Sequence, residues 1–205
     1  NGGNIYKLLK DLNNAELFYD KALSLHKSKE VLNNLSVICI ERRNYDKAIS
    51  LAKDAIEIDA SYVDALYNLA LSFDSLGRYN EAEKYSSKAC ALDNYKHSKY
   101  LVLLFRILQN TCNWKDIPKI AEMLDHHIGD GTEHPFLNIS RYDDEESNYK
   151  VALAWNSNLP KIANKVSSPN EKIRLGYLCG EFRNHPTNHL IKNLFRFHDT
   201  SKFEI

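Results

Sequence analysis

The chain has 205 residues, 43% of them hydrophobic, which is enough to bury a sizeable core as one large or two small domains. Its 27 Lys and Arg residues balance 27 Asp and Glu residues, so no excess positive charge favours binding to nucleic acid or to an anionic membrane surface. No apolar run approaches the roughly 20 residues that span a bilayer, and the N-terminus lacks a signal-peptide pattern.

Cysteine usage indicates the compartment. The four cysteines are widely spaced and form no C-x-x-C pair, which excludes a zinc knuckle or a dithiol redox motif: Cys39, Cys90, Cys112 and Cys179. A reducing, cytoplasmic setting fits this pattern. The chain starts at Asn1 rather than Met and ends in what reads as the beginning of a strand, so we expect a fragment of a longer protein.

The first half of the chain repeats with a period of 34. Residues 30–60 match the stretch from 63 onward, and small residues recur where two helices would cross, as Ala48 and Ala55 do at Ala82 and Ala89. This pattern resembles the tetratricopeptide helix pair. Residues 9–25 repeat the second helix of such a pair, so we expect about two and a half regular repeats, with the first helix of the earliest pair cut away.

Such repeats stack into a solenoid with a concave surface that binds peptides or proteins. Asn34 and Asn68 occupy the same place in the first helices of successive repeats. A side-chain amide both donates and accepts, so a ladder of asparagines can bind an extended peptide backbone of any sequence. The alternative is that the two amides only solvate the groove.

The period weakens after His97. Two further amphipathic helices are predicted up to Ile128, with Trp114 in the place of the repeat tyrosine and one extra residue before it. Gly129, Gly131 and Pro135 then interrupt the helical pattern, and a new helix is predicted from Glu145 to Trp155.

The last segment predicts a different architecture. The apolar run IRLGYLC at 173–179 reads as a buried parallel strand, and a helix is predicted from Pro186 onward. The loop between them, 180–187, would lie at the carboxyl end of the strand and at a helix N-terminus, where open α/β sheets bind ligands and anions. Neither G-x-G-x-x-G nor a P-loop motif occurs, so a dinucleotide site or a P-loop is not supported.

The order of these segments resembles one family. After the repeats come CNW at 112–114, EHPF at 133–136 and RLGYLCGEFRNHPTNHL at 174–190. Together they look like the protein O-linked N-acetylglucosamine transferases and their bacterial relatives. The triplet 181–183 differs from that of the animal enzymes and favours a bacterial-type member.

The resemblance implies a mostly α chain: a tetratricopeptide α-solenoid followed by the first strand and helix of a Rossmann-like lobe of the glycosyltransferase-B type. The expected segments are the solenoid, 1–128, a connecting segment, 129–170, and the start of the catalytic lobe, 171–205. The implied reaction moves N-acetylglucosamine from UDP-N-acetylglucosamine to Ser or Thr of proteins, without metal or cofactor, and the repeats bind the acceptor. The 205 residues alone are expected to be inactive.

The resemblance also carries over a site. His185 matches the histidine of the family's H-P-T motif, which lies by the sugar and acts as a base or as a sugar contact, and Asn184, Pro186 and Thr187 would shape the same loop. The alternative reading is that His185 caps the helix that begins at Pro186. His189 is four residues on, but no third ligand is near, so a metal site is not expected.

Two other functions stay open. The repeats alone would suit a non-enzymatic scaffold for protein partners. Relatives that use GDP-fucose or UDP-glucose share much of the architecture, so the donor is a second open question.

Overall fold

The computed structural model describes residues 2–141, 143–158, 172–174 and 197–204. The chain divides into two compact units, Asn1–Leu159 and Pro160–Ile205, and each is described by itself. In the described residues, no helix is both long enough and apolar enough to cross a membrane.

The first unit begins with six helices that pack as antiparallel pairs: α1 (Gly2–Leu8), α2 (Leu12–Leu25), α3 (Lys29–Glu41), α4 (Tyr45–Ile58), α5 (Val63–Ser75) and α6 (Tyr79–Leu92). The prediction that the earliest first helix is cut away was wrong, because the 7 residues of α1, about two turns of helix, pack against α2. Its approach is close: a Cβ on Gly3 would lie 2.6 Å from Cε1 of Tyr19.

Local chemistry sets the helix ends. The side chains of Asp11, Ser28 and Asn44 each accept a hydrogen bond from a backbone N–H in the first turn of the helix that follows. The turn after α5 places Gly77 in the left-handed region, with φ of 72°, and Arg43 adopts a similar φ of 59° one period earlier. The same turn therefore recurs in successive repeats even where no glycine is present.

Small residues allow the helices to cross closely, as the sequence predicted. An alanine at the equivalent position of each of these second helices is fully buried: Ala15 in α2, Ala48 in α4 and Ala82 in α6. Larger apolar side chains fill the space around them, among them Leu35, Leu69 and Phe73. This repeated packing forms a continuous core along the unit, as expected of a solenoid.

The fourth helix pair departs from the pattern. It consists of α7 (Ser98–Asn110) and α8 (Ile117–Asp125), and α8 has 9 residues where α4 and α6 have 14. Trp114 lies outside α8 and is 66% exposed, whereas Tyr79, in the matching position, is the first residue of α6. The second helix of this pair thus begins at Ile117, later than the position that starts α6.

Two more helices complete the first unit: α9 (Pro135–Ile139) and α10 (Glu145–Trp155), which runs into a short 3-10 turn at Asn156–Asn158. The predicted helix 145–155 is confirmed, because α10 has the same bounds. Asp144 caps this helix by accepting a hydrogen bond from Ser147 N. His134 caps α9 by accepting from Phe136 N at 3.1 Å, and Pro135 is the first helical residue.

A buried ion pair anchors α9. The side chain of Arg141 is fully buried and donates to both oxygens of Glu133, at 2.8 and 3.0 Å. Its Nη1 also donates to the Ala121 carbonyl at 2.8 Å and to Asp125 at 2.9 Å, both on α8. Arg141 therefore ties the segment after the repeats to the last repeat helix.

The described part of the second unit contains two short strands, β1 (Ile173–Arg174) and β2 (Phe203–Glu204). They pair in parallel, with Ile173 opposite Phe203. Parallel pairing at 173 agrees with the predicted strand, whose remaining residues, 175–179, lie outside the described residues, as does the helix predicted from Pro186.

Candidate functional site

A groove of about 470 Å³ runs across the first helices of successive repeats. Side chains from α3 and α5 form most of it, and one lysine each from α1 and α7 reach into it. The lining residues are Lys7, Asn33, Asn34, Val37, Ile40, Glu41, Asp64, Tyr67, Asn68, Leu71 and Lys99. This surface, called the groove below, mixes amides, aliphatic side chains and charges of both signs.

The two asparagines singled out from the sequence both line the groove. Asn68 is almost fully buried, and its Nδ2 donates to Asn33 Oδ1 at 2.7 Å and to Ser36 Oγ at 3.4 Å. Because both bonds use Nδ2, the carbonyl oxygen of Asn68 keeps its acceptor capacity. Asn34 accepts a hydrogen bond from Lys7 Nζ at 3.3 Å.

The amide network joins residues that the repeat alignment does not pair. The alignment places Asn34 beside Asn68, whereas the hydrogen bond across α3 and α5 runs from Asn68 to Asn33. Sequence reasoning missed Asn33, whose counterpart one period later is Tyr67. The available signal was that Asn33 is itself an amide directly before Asn34 in the sequence. The stagger between α3 and α5 decides which of these two amides Asn68 contacts.

One end of the groove carries a charged and aromatic cluster. Lys99 Nζ donates to Asp64 Oδ1 at 2.8 Å, and the Tyr100 hydroxyl donates to the same oxygen at 2.9 Å. The Lys99 ammonium also lies 4.6 Å from the centroid of the Tyr100 ring, within cation–π range. This cluster gives the groove a fixed polar boundary at α7.

These contacts shift the protonation of the cluster. Burial works against ionisation of Asp64, but the hydrogen bonds from Lys99 and Tyr100 outweigh it and lower the pKa of the carboxyl group. Burial of the Tyr100 phenol, together with the nearby Asp64 carboxylate, raises its pKa to about 12. At neutral pH the cluster is therefore an ammonium, a carboxylate and a neutral phenol.

The other predicted site residues fall outside the described part of the chain. His185, Asn184, Pro186 and Thr187 are among the residues whose structure is not described, and so is His189. Their roles stay predictions. No group of three or more His, Cys, Asp or Glu side chains that could hold a metal ion occurs among the described residues.

Stacked helix pairs with a groove across their first helices define a tetratricopeptide-repeat solenoid, and the comparisons with known proteins agree. Tetratricopeptide repeat models match residues 3–28 and 39–88. The Arabidopsis OM64 tetratricopeptide domain covers 53% of this chain and 89% of its own, at 24% identity and a TM-score of 0.51. Pseudomonas aeruginosa pilF covers 74% of this chain and 69% of its own, at 17% identity and a TM-score of 0.59. At these identities the similarity shows the fold alone.

The end of the chain supplies the more specific match. The model of Glycosyl transferase family 41 matches residues 149–205, beginning within α10. Together with the repeat matches, it supports a tetratricopeptide-repeat protein of the O-linked N-acetylglucosamine transferase family, and the resemblance seen in the sequence is confirmed.

Curated relatives are similar to about half of the chain. Protein unc-45 homolog B of Xenopus laevis is 35% identical over 112 residues, which is 53% of this chain and 12% of that protein. The same protein of Danio rerio is 30% identical over 95 residues, or 43% of this chain and 10% of that protein. The chain thus spans about an eighth or less of the length of these relatives.

Proposed function

We propose that the chain belongs to a protein O-glycosyltransferase, in which the repeats bind the acceptor protein and the segment from 171 onward begins the Rossmann-like catalytic lobe. The observation that carries this proposal is the family 41 match, which starts at Tyr149 in α10, after the repeats. The donor we propose is UDP-N-acetylglucosamine, because the H-P-T wording at 185–187 resembles the transferases of that sugar. Transfer to Ser or Thr needs no metal or cofactor in this proposal.

The groove suits an extended acceptor peptide. An extended backbone presents N–H and C=O groups that need partners, and amides that both donate and accept can supply them for any sequence. Asn68 offers an acceptor oxygen held in place by its bonds to Asn33 and Ser36. Asn34 lies in the same groove with Lys7 beside it.

His185 would act near the sugar. A histidine titrating near neutrality can take the proton of the attacking hydroxyl or donate a hydrogen bond to the donor sugar. Asn184, Pro186 and Thr187 would shape the loop around it. The competing role for His185 is to cap the helix that follows, in which case its removal would affect folding more than catalysis.

A scaffold without catalysis is the second candidate. It is favoured by the extent of the repeats, which occupy most of the first unit and present a groove that needs no catalytic lobe to bind a partner. Within the enzyme class, GDP-fucose and UDP-glucose are the alternative donors.

The first experiment measures transfer of radiolabelled sugar from UDP-N-acetylglucosamine, GDP-fucose and UDP-glucose to proteins of a source-cell lysate by the product of the complete gene. We expect labelled protein bands with the first donor only. His185→Ala should lower kcat/KM by two orders of magnitude or more, whereas the exposed His126→Ala should leave it within about threefold. No labelling from any donor would favour the scaffold, and labelling that His185→Ala leaves unchanged would assign that residue to capping.

A second experiment separates groove binding from catalysis. The double variant Asn34→Ala and Asn68→Ala should raise KM for protein acceptors while kcat/KM for a short Ser peptide changes little. Asn80→Ala, an exposed asparagine on α6, is the matched control. Circular dichroism would verify that the double variant is folded, since Asn68 is buried.

A further inference from the structure

The neighbours of Asn68 fix the orientation of its side-chain amide. The Ser36 hydroxyl donates to the main-chain oxygen of Asn33 at 2.7 Å, so its proton is used and its oxygen can only accept. This oxygen lies 3.4 Å from the Asn68 amide, and the atom of Asn68 that faces it must therefore be the donor, Nδ2. The same nitrogen donates to Asn33 Oδ1 at 2.7 Å. Asn68 Oδ1 is thus turned away from Ser36 and Asn33.

The oxygen of Asn68 is accessible to a ligand. Both hydrogen bonds of the Asn68 side chain use Nδ2, which leaves Oδ1 as the part of the amide that no described residue binds. In the described part of the chain, the buried side-chain atoms that lack a hydrogen-bond partner are oxygens of Asp74, Asn138 and Asn148. Asn68 Oδ1 is therefore open to the groove that this residue lines. An amide oxygen only accepts, so the backbone group that it can bind is a peptide N–H.

Lys7 fixes the amide of Asn34 in the opposite sense. An ammonium group only donates, so the atom of Asn34 that lies 3.3 Å from Lys7 Nζ must be the oxygen. The nitrogen, Nδ2, contacts Asn4 Oδ1 at 3.5 Å. Because Nδ2 carries two N–H donors, one of them remains for a ligand, and the backbone group that it can bind is a peptide C=O.

We propose that the groove binds the two halves of the peptide group at different asparagines: Asn68 accepts from a backbone N–H of the bound chain, and Asn34 donates to a backbone C=O. This inference rests on the proposed function, since it specifies which acceptor chains the groove takes. Proline has no backbone N–H, so an acceptor chain must carry another residue where it passes Asn68, whereas proline is tolerated beside Asn34. Asn33 and Ser36 act as positioning residues, because they hold the Asn68 oxygen toward the groove.

The test compares two short fluorescein-labelled peptides of alternating Ala and Ser, one with ordinary peptide bonds and one with every backbone nitrogen methylated. Methylation removes every N–H of the peptide backbone and keeps every C=O. Because the peptide sequence repeats, the result does not depend on the register in which the peptide binds. Fluorescence anisotropy with the chain of 205 residues gives the dissociation constants.

We expect Asn68→Ala to weaken binding of the unmethylated peptide about fivefold, as the loss of one hydrogen bond does, and to leave binding of the methylated peptide unchanged. Asn34→Ala should weaken binding of both peptides by a similar factor, because the C=O groups remain after methylation. Asn80→Ala, an exposed asparagine on α6, is the control and should change neither dissociation constant.

A nuclear magnetic resonance measurement on the unaltered, isotope-labelled chain needs neither the substitution nor the methylated peptide. Binding of the unmethylated peptide should move the side-chain N–H signals of Asn34 and leave those of Asn68 in place, because the Asn68 protons stay bound to Asn33 and Ser36. This measurement decides the question if Asn68→Ala does not fold or if the methylated peptide does not bind.

The outcomes separate this inference from the proposed function. An equal loss for both peptides on Asn68→Ala, or movement of the Asn68 side-chain N–H signals as large as that of Asn34, overturns the opposite roles and leaves peptide binding in the groove intact. Failure of the unmethylated peptide to bind overturns both this inference and the acceptor role of the groove.

Discussion

Arg141 shows how a single residue fixes the end of the repeat array. A buried arginine is costly unless its charge is paired and its N–H groups find acceptors. Here Glu133 supplies a bidentate pair, and the Ala121 carbonyl and Asp125 supply further acceptors. The EHPF stretch noted in the sequence thus has structural roles in this fold: Glu133 pairs with Arg141, and His134 with Pro135 starts α9.

Replacing Arg141 by alanine should lower the free energy of unfolding by about 3 kcal/mol, because it leaves the Glu133 carboxylate buried without its partner. Urea denaturation followed by circular dichroism measures this change. Lys47→Ala is the control, since that lysine pairs with Glu16 at the surface and should cost less than about 1 kcal/mol.

The double variant Arg141→Met with Glu133→Leu should recover part of the loss, because it removes both charges and refills the space with apolar atoms. A loss for Arg141→Ala below about 0.5 kcal/mol would show that the buried pair does not hold the segment.

Residue-level prediction from the sequence was partial. Asn34 and Asn68 both line one groove, because equivalent positions of a solenoid face the same way, and their role in peptide binding stays a prediction. The partner of Asn68 and the pairing of Arg141 could not be read from the sequence. Both depend on the stagger and approach of helices that are distant in the chain, and neither leaves a periodic signal.

At the scale of helices, the length of a helix determined whether it could be predicted from the sequence. The helices α3 to α7 and α10 have 11 to 14 residues and show a clear apolar period or a strong cap. The 7 residues of α1 and the 5 of α9 are too few to show a period, so both were missed. Their stability comes from packing on α2 and from the Arg141 contacts rather than from local propensity.

The close crossing of helices predicts a sharp sensitivity to side-chain size. Ala82→Leu should lower the free energy of unfolding by about 1 to 3 kcal/mol, because Ala82 is fully buried in the core cluster that contains Phe73, and a larger side chain there would displace its neighbours.

The same substitution at Ala91, an exposed alanine on the same helix, should change the free energy of unfolding by less than about 0.5 kcal/mol. Urea denaturation of the two variants side by side makes the comparison. Equal effects at both positions would contradict the tight crossing.

At the scale of the whole molecule, the titrating groups predict a pH range of maximal stability. Burial raises the pKa of Cys90 from 9.0 to about 12 and is the largest cause of the raised pKa of Tyr67 and Tyr100. A group whose pKa is raised by folding stabilises the fold below its unfolded pKa and loses that contribution as the pH rises. The free energy of unfolding should therefore fall as the pH rises from about 9 to 12.

The acid limit follows from carboxyl groups whose pKa values are lowered by folding, unlike those of the buried thiol and phenols. The pKa of Asp59 is lowered first by its hydrogen bond with Lys29, and that of Asp64 is lowered by Lys99 and Tyr100. Their contribution is present above the unfolded value of 3.8 and is lost as the pH falls below it. Unfolding free energies from urea titrations across pH should form a plateau between these limits.

Cys90→Ala tests the alkaline limit, since it should flatten the fall between about pH 9 and 12 while leaving the acid limb unchanged. An alkaline fall of the same steepness in this variant would mean that the thiol contributes little and that the buried phenols carry the effect.

The parallel pair of β1 and β2 has a consequence for the order in which the chain folds. Ile173 pairs with Phe203, so the ends of a segment of about thirty residues must meet before the first ladder bond forms, and closing such a loop costs about 3 kcal/mol of chain entropy. Each helix pair of the repeats, by contrast, joins neighbours across turns of a few residues. Contacts between near neighbours form within microseconds to milliseconds, while non-local pairing is slower. Refolding should therefore show helical circular dichroism before any signal from the strand pair, so the groove between α3 and α5 would be assembled before the strands of the second unit pair.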